Sequence, residues 1–274
     1  MPTVLGIPLD VNSSYLRGPA GAPAKIREAL QSDASNQWSE SGVDVGAAGA
    51  FADAGDLPLG NSREQSEQDF AEIERAVGAL LENGERPVLL GGDHSVTYPI
   101  LKAFAPRFAE LTIVHFDAHP DLYDEFEGSR VSHACPFARI MEERLAKRLV
   151  QIGIRTLNRH QREQAEKFGV EIVQMSGLPD YDRLKMPGPV YISFDMDVLD
   201  PAFAPGISHH EPGGMTVREA IAHLHAIEGT IVGANIVEYN PSRDIAGMTA
   251  TVAAKILKEV LGRMIAETRA GGKK

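Results

Sequence analysis

The stretch LTIVHFDAHPD, Leu111–Asp121, decides the fold. Its first half, Leu111–Phe116, is a dense run of β-formers, as expected of a strand covered on both faces. Its second half, Asp117-Ala118-His119-Pro120-Asp121, crowds three potential cation ligands into the turn that follows. A buried strand that ends abruptly in charge places that charge at the edge of a sheet.

Working outward, the arrangement recurs. Pro87–Leu90 runs into Gly91-Gly92-Asp93-His94-Ser95, and Val190–Phe194 runs into Asp195-Met196-Asp197-Val198-Leu199-Asp200. Thr230–Val237 ends at Glu238. Further strands are expected over Thr3–Pro8, Val43–Ala47, Leu149–Ile154 and Glu171–Gln174.

Amphipathic stretches separate the strands. Ser62 and Gln65 suggest a capping box before a helix that runs to about Glu82 and stops at Gly84. Thr216 and Glu219 suggest a second box before Ala220–Ile227, and a long helix is expected over Ala246–Ala266. Such alternation predicts an α/β protein with a mostly parallel sheet and helices on both faces. Arg17–Ala24 and Pro201–Gly214, rich in Gly and Pro, read as long loops. No repeat or linker divides the chain, so one domain is expected over residues 1–274, with disorder only at Gly271–Lys274.

If the strands are parallel, all four polar ends share one sheet edge, where open α/β sheets bind ligands. His94, Asp117, His119, Asp121, Asp195 and Asp197 would there repel and desolvate one another without counter-charge. Two divalent cations supply it, and six ligands for two ions require some carboxylates to bridge. Carboxylate with imidazole and no thiolate suits Mn²⁺, Fe²⁺ or Co²⁺, and two Mn²⁺ are expected.

Composition narrows the setting. A chain of 274 residues buries enough core to fold without disulfides. Its one cysteine, Cys135, fits a reducing compartment and reads as a small buried residue, not a nucleophile. The N-terminus lacks the pattern of a secretory leader and no run is long and apolar enough to span a membrane, so the cytoplasm is the expected location. The net charge of −11 argues against nucleic acid or an anionic membrane as partner and is compatible with a small cationic substrate.

GGDHS (Gly91–Ser95), FDAHPD (Phe116–Asp121), SFDMDVLDP (Ser193–Pro201), EPGGMTVRE (Glu211–Glu219) and VEYNP (Val237–Pro241) resemble the ureohydrolase family of arginases and agmatinases. LRGPAGAPAKIREAL (Leu16–Leu30) is similar to the family's N-terminal segment, and the resemblance spans almost the whole chain in the family's order. It implies a three-layer α/β/α fold, a binuclear Mn²⁺ site and a homo-oligomer, trimer or hexamer. Carried over by position, one ion would be held by His94, Asp117, Asp121 and Asp195. The other would be held by His119, Asp117, Asp195 and Asp197, with Asp117 and Asp195 bridging. Asp93 and Asp200 would orient ligands. The resemblance further implies that water activated between the cations attacks a guanidinium carbon. Asp121 would accept a hydrogen bond from that water, Glu238 would hold the guanidinium, and His133 would protonate the leaving amine. The products are urea and an amine.

Two departures bear on the substrate. Gly128–His133 lacks the Ser-Gly-Asn run that arginases carry ahead of the shuttle histidine, and Asn158 stands where they carry an acid. Tyr123–Gly128 and Ser132–Phe137 look more like agmatinase-type members, with Asp124, Glu125 and Glu127 able to face an amine. Agmatine, cleaved to putrescine and urea, is therefore the expected substrate. Gly206–Pro212, GISHHEP, replaces a Gly-Thr-Gly-Thr-Pro run at the expected pocket border and keeps guanidinobutyrate, formiminoglutamate and arginine as alternatives. A phosphatase built on Asp195-Met196-Asp197 leaves GGDHS and FDAHPD without a role. A single-zinc deacetylase needs fewer acids.

Overall fold

Every neighbouring strand pair is parallel, because each strand leads into a crossover instead of a tight hairpin. The computed structural model describes residues 1–271; of the tail expected to be disordered, Gly271–Lys274, Gly271 instead ends the last helix and 272–274 lie outside the described residues. The strands are β1 (Pro2–Ile7), β2 (Ala52–Asp56), β3 (Arg86–Gly91), β4 (Thr112–Phe116), β5 (Arg148–Ile154), β6 (Glu171–Gln174), β7 (Pro189–Asp195) and β8 (Thr230–Val237). Their order across the sheet is β2-β1-β3-β8-β7-β4-β5-β6.

Side chains alternate along each strand and so feed two cores. Val4, Val88, Leu90, Val114 and Phe116 face Ile26 of α1 (Ala22–Leu30), Leu224 of α6 (Val217–Ala226) and Leu257 of α7 (Met248–Gly271). Leu5, Leu89, Ile113, Leu149 and Tyr191 face Ile73 of α2 (Ser66–Glu82), Ile100 of α3 (Thr97–Phe104), Phe137 of α4 (Pro136–Glu142) and Ala165 of α5 (Arg159–Phe168). Each such Leu or Ile contributes about 1.5–3 kcal/mol by burial, which drives both helical layers onto the sheet. The result is the three-layer α/β/α arrangement expected.

Local differences from the sequence reading have physical causes. Val43 and Val45 are buried, but they lie in a loop with a single bridge, Trp38–Asp44, and form no strand. The strand in that region is β2, an edge strand with mostly exposed side chains and therefore no apolar pattern to read. Thr216 and Glu219 close their capping box. Ser62 and Gln65 do not: the Ser62 hydroxyl donates to Gln65 Oε1 at 3.3 Å, and a 3₁₀ turn precedes α2. Arg17–Ala24 is only partly a loop, since α1 starts at Ala22. The last helix starts at Met248 because Ala246 and Gly247 both adopt left-handed φ.

Candidate metal centre

The four central strands, β3, β8, β7 and β4, are neighbours in space, and of their adjacent pairs only β7 and β8 are also consecutive in sequence. Their carboxyl ends bring His94, Glu238, the Asp195–Asp197 pair and the Asp117–Asp121 turn to one place, at the point where the chain's direction of winding reverses. Gly92 makes the first of these turns possible. A Cβ there would sit 1.7 Å from the Leu9 carbonyl oxygen, so only glycine lets the turn press against the chain leaving β1.

The Asp-x-His and Asp-x-Asp spacings have a local origin. Asp117 Oδ1 accepts the backbone N–H of His119 at 2.5 Å, and Asp195 Oδ1 accepts that of Asp197 at 2.8 Å. Asp197 Oδ1 in turn accepts the N–H of Ala118 at 3.0 Å. Each aspartate thus spends one oxygen on a turn. The other, Oδ2, is left to face the interior of the site.

The Oδ2 atoms of Asp117 and Asp195, with that of Asp121, face His94. Its Nδ1 lies 3.2 Å from Asp117 Oδ2, 2.9 Å from Asp121 Oδ2 and 3.2 Å from Asp195 Oδ2, yet it is buried without a properly aligned hydrogen bond. Its Nε2 is hydrogen-bonded to Ser193 Oγ at 2.9 Å, which turns Nδ1 toward the carboxylates. Beside this cluster His119 Nδ1 stands 2.9 Å from Asp197 Oδ2 and 3.4 Å from Asp117 Oδ1.

Electrostatics describe the same demand. Burial, then the charges of Asp197 and Asp117, push the Asp195 carboxyl well above its usual range. Burial and Asp117 raise Asp197 to about 6. Burial opposes a charge on His94 and His119, but the surrounding aspartates outweigh it and hold both rings well above the ordinary histidine range. The centre draws in positive charge and has oxygen and imidazole donors to receive it. Those donors fit divalent cations.

Support from beneath was missed in the sequence. His115 Nε2–H donates to Asp117 Oδ2 at 2.7 Å, and the Gln151 amide donates to His115 Nδ1 at 3.0 Å. Gln151, His115, Ser193 and Asn235 occupy one cross-strand row of β5, β4, β7 and β8, all fully buried. A single polar residue interrupting each apolar strand was the available signal.

The centre opens into a cleft of about 170 Å³ lined in part by His119, Asp121, His133, Asp195, His209 and Glu238. His133 Nδ1 donates to Glu238 Oε1 at 2.8 Å, and the same oxygen accepts the His94 backbone N–H at 2.8 Å. Burial opposes charge on His133, but Glu238 more than offsets it and lifts the ring to about 9. The expected pocket-border loop does contribute a wall: the His209 ring stands 5.3 Å from that of His133 and 5.8 Å from that of His119.

Other expected residues have different work. Asp93 accepts from Ser95 and from the Asn12 backbone, and Asp200 from the backbone of Ala202, Gly213 and Gly214; both brace loops and contact no expected ligand side chain. Asp124, Glu125 and Glu127 do not line the cleft, and Asp124 is paired with Arg130 and Arg139. Asn158 caps α5. Cys135 is buried, and burial pushes its thiol up to about 12.

Comparison with known proteins agrees with this geometry. The arginase family model matches residues 2–262. A mitochondrial arginase 1 of Arabidopsis thaliana is 44% identical over 96% of this chain and 80% of its own. The agmatinase of Bacillus subtilis (strain 168) is 36% identical over 93% of this chain and 89% of its own. Among solved structures, an arginase from Medicago truncatula matches with a TM-score of 0.90 and 42% identity, covering 96% of this chain and 87% of that one. The proclavaminate amidino hydrolase from Streptomyces clavuligerus matches at 0.85 and 32%, covering 96% and 91%. With a parallel sheet and carboxylate and imidazole groups at its carboxyl edge, the protein is a hydrolase of the ureohydrolase class to which these relatives belong. The chain belongs to the arginase family.

Proposed function

We propose that the protein uses two Mn²⁺ ions to hydrolyse a guanidino group, releasing urea and an amine. The observation that carries this is His94 Nδ1, buried among three carboxylate oxygens without a hydrogen bond. His94, Asp117, Asp121 and Asp195 would hold one ion, and His119, Asp117, Asp195 and Asp197 the other. When bound, such a pair supplies a water-derived nucleophile at neutral pH.

The chain's own groups account for the remaining requirements. Glu238 Oε1 is committed to His94 and His133, and its Oε2 can accept from a guanidinium N–H. Asp121 lines the cleft and would orient the attacking water. His133, lifted to about 9, carries a proton at neutral pH and can pass it to the departing nitrogen.

Arginine is the favoured substrate. The acids that could have faced the second amine of agmatine stand outside the cleft, whose lining adds Thr156 and Gln161, neutral groups suited to an amino-acid end. Relatives named arginases reach 44% identity. Agmatine is the second reading, carried by the missing Ser-Gly-Asn run, by Asn158 and by 36% identity with an agmatinase. Urea release after Mn²⁺ loading, across arginine, agmatine and guanidinobutyrate, with formamide from formiminoglutamate, separates them. Absence of product from all four with two ions bound would overturn the reading. The same catalytic domain, 1–274, is proposed to act in the cytoplasm as a homo-oligomer, a state that light scattering measures directly.

A further inference from the structure

The segment between β1 and α1 reaches into the cleft, and nothing in the reaction described above uses it. Its Ser14 Oγ lies 2.8 Å from His133 Nε2 and lines the same cleft. Two residues earlier, the Asn12 carbonyl accepts the His133 backbone N–H at 3.1 Å. The segment is fastened at both ends. Asp10 accepts from the backbone of Gly18 at 2.7 Å and Ala20 at 3.1 Å, and from Arg17 Nε at 2.8 Å and Asn61 Nδ2 at 3.1 Å. Asp93 accepts the Asn12 N–H at 3.0 Å.

We infer that Ser14 is a positioning residue for His133, fixing the orientation of the ring in which Nδ1–H points at Glu238 and Nε2 turns into the cleft. This rests on the proposed function, in which His133 is the proton donor. A ring held at Nδ1 alone can swing about that bond. A hydroxyl on Nε2, presented by a segment that also binds the backbone of His133, removes that freedom. The charged groups that face the ring are Glu238, Asp93 and Asp121, with the His209 ring beside it, tilted by 33°. Ser14 adds no charge to that set, so it acts through orientation.

The test compares Ser14→Ala and Ser14→Thr with the parent enzyme, loaded with Mn²⁺, on the substrate that the parent turns over. Loss of one half-buried hydrogen bond should lower kcat about five- to tenfold in Ser14→Ala, with KM, metal content and melting temperature little changed. The basic limb of the kcat–pH profile should shift in the same variant, and Ser14→Thr, which keeps the hydroxyl, should restore both. Parent-like kcat and pH profile in Ser14→Ala would overturn the inference. If the parent releases no urea at all, the proposed function fails, but ¹⁵N NMR of the His133 imidazole still decides about Ser14. A single sharp form in the parent that becomes mixed in Ser14→Ala supports positioning, and identical spectra refute it.

Discussion

One oxygen of Glu238 accepts from His133 Nδ1 at 2.8 Å and, at the same length, from the backbone N–H of His94. A carboxylate on β8's end thereby ties the imidazole of a distant loop to the turn that presents a proposed ligand. Position and charge are set together.

Glu238→Gln keeps the shape and removes the charge. Without the carboxylate the His133 ring falls from about 9 toward its ordinary value and the guanidinium loses its anionic partner. We expect kcat to drop about 100-fold or more with bound Mn²⁺ unchanged. Steady-state kinetics beside metal analysis check this. Retained turnover would show that neither function belongs to Glu238.

Asp117→Asn strikes the carboxylate proposed to bridge both ions. Metal content should fall from two ions per chain to one or none, measured by atomic emission after dialysis. In the parent, chelation should lower the melting temperature and Mn²⁺ should restore it. Metal at about 100 times its dissociation constant adds about 2.7 kcal/mol.

Gly92→Ala tests the close approach to Leu9. Its Cβ would overlap the Leu9 carbonyl oxygen, so the β3–α3 turn must move and His94 with it. A loss of about 3 kcal/mol or more is expected, read by chemical denaturation. Gly78→Ala is the control. A Cβ at Gly78 in α2 meets nothing within 4 Å, and the helix should gain about 0.5–1 kcal/mol.

Away from the centre, Arg218 and Lys255 hold Glu40 down at about 2 against an ordinary 4.5. A depressed carboxylate contributes stability that is complete above 4.5 and is lost as pH falls toward 2. The side chain is one-third exposed, so solvent screens the pair and its worth is under about 1 kcal/mol. Glu40→Gln should therefore lower stability slightly at neutral pH and match the parent near pH 2. Equal acid dependence in both proteins would dismiss the pair's contribution.

Much of this arrangement was legible because apolar strands and their polar ends are written contiguously. Val190–Phe194 and the Asp195–Asp197 pair could be read in one pass, and parallel pairing then dictated a common edge. Less legible was β2, whose exposed ADAGD edge carries no pattern, while the burial of Val43 and Val45 in a loop imitates a strand. The polar row under the centre escaped notice because a lone His115 or Ser193 within an apolar run looks like noise until register aligns them. Ser14 was invisible for the opposite reason: only folding brings it across the chain to His133.

Asp121 and Glu238 share a further property. Both hold left-handed backbone angles, φ 49° and 63°, which residues with a Cβ adopt at a cost of about 1–2 kcal/mol each. Replacing either by glycine would relax the chain while removing a group the proposed reaction needs. Such variants should melt higher, as inert proteins, than an Asp121→Ala or Glu238→Ala counterpart. The centre is therefore a place where durability and turnover pull in opposite directions, and a search for heat-resistant variants that ignored activity would erase these two side chains early.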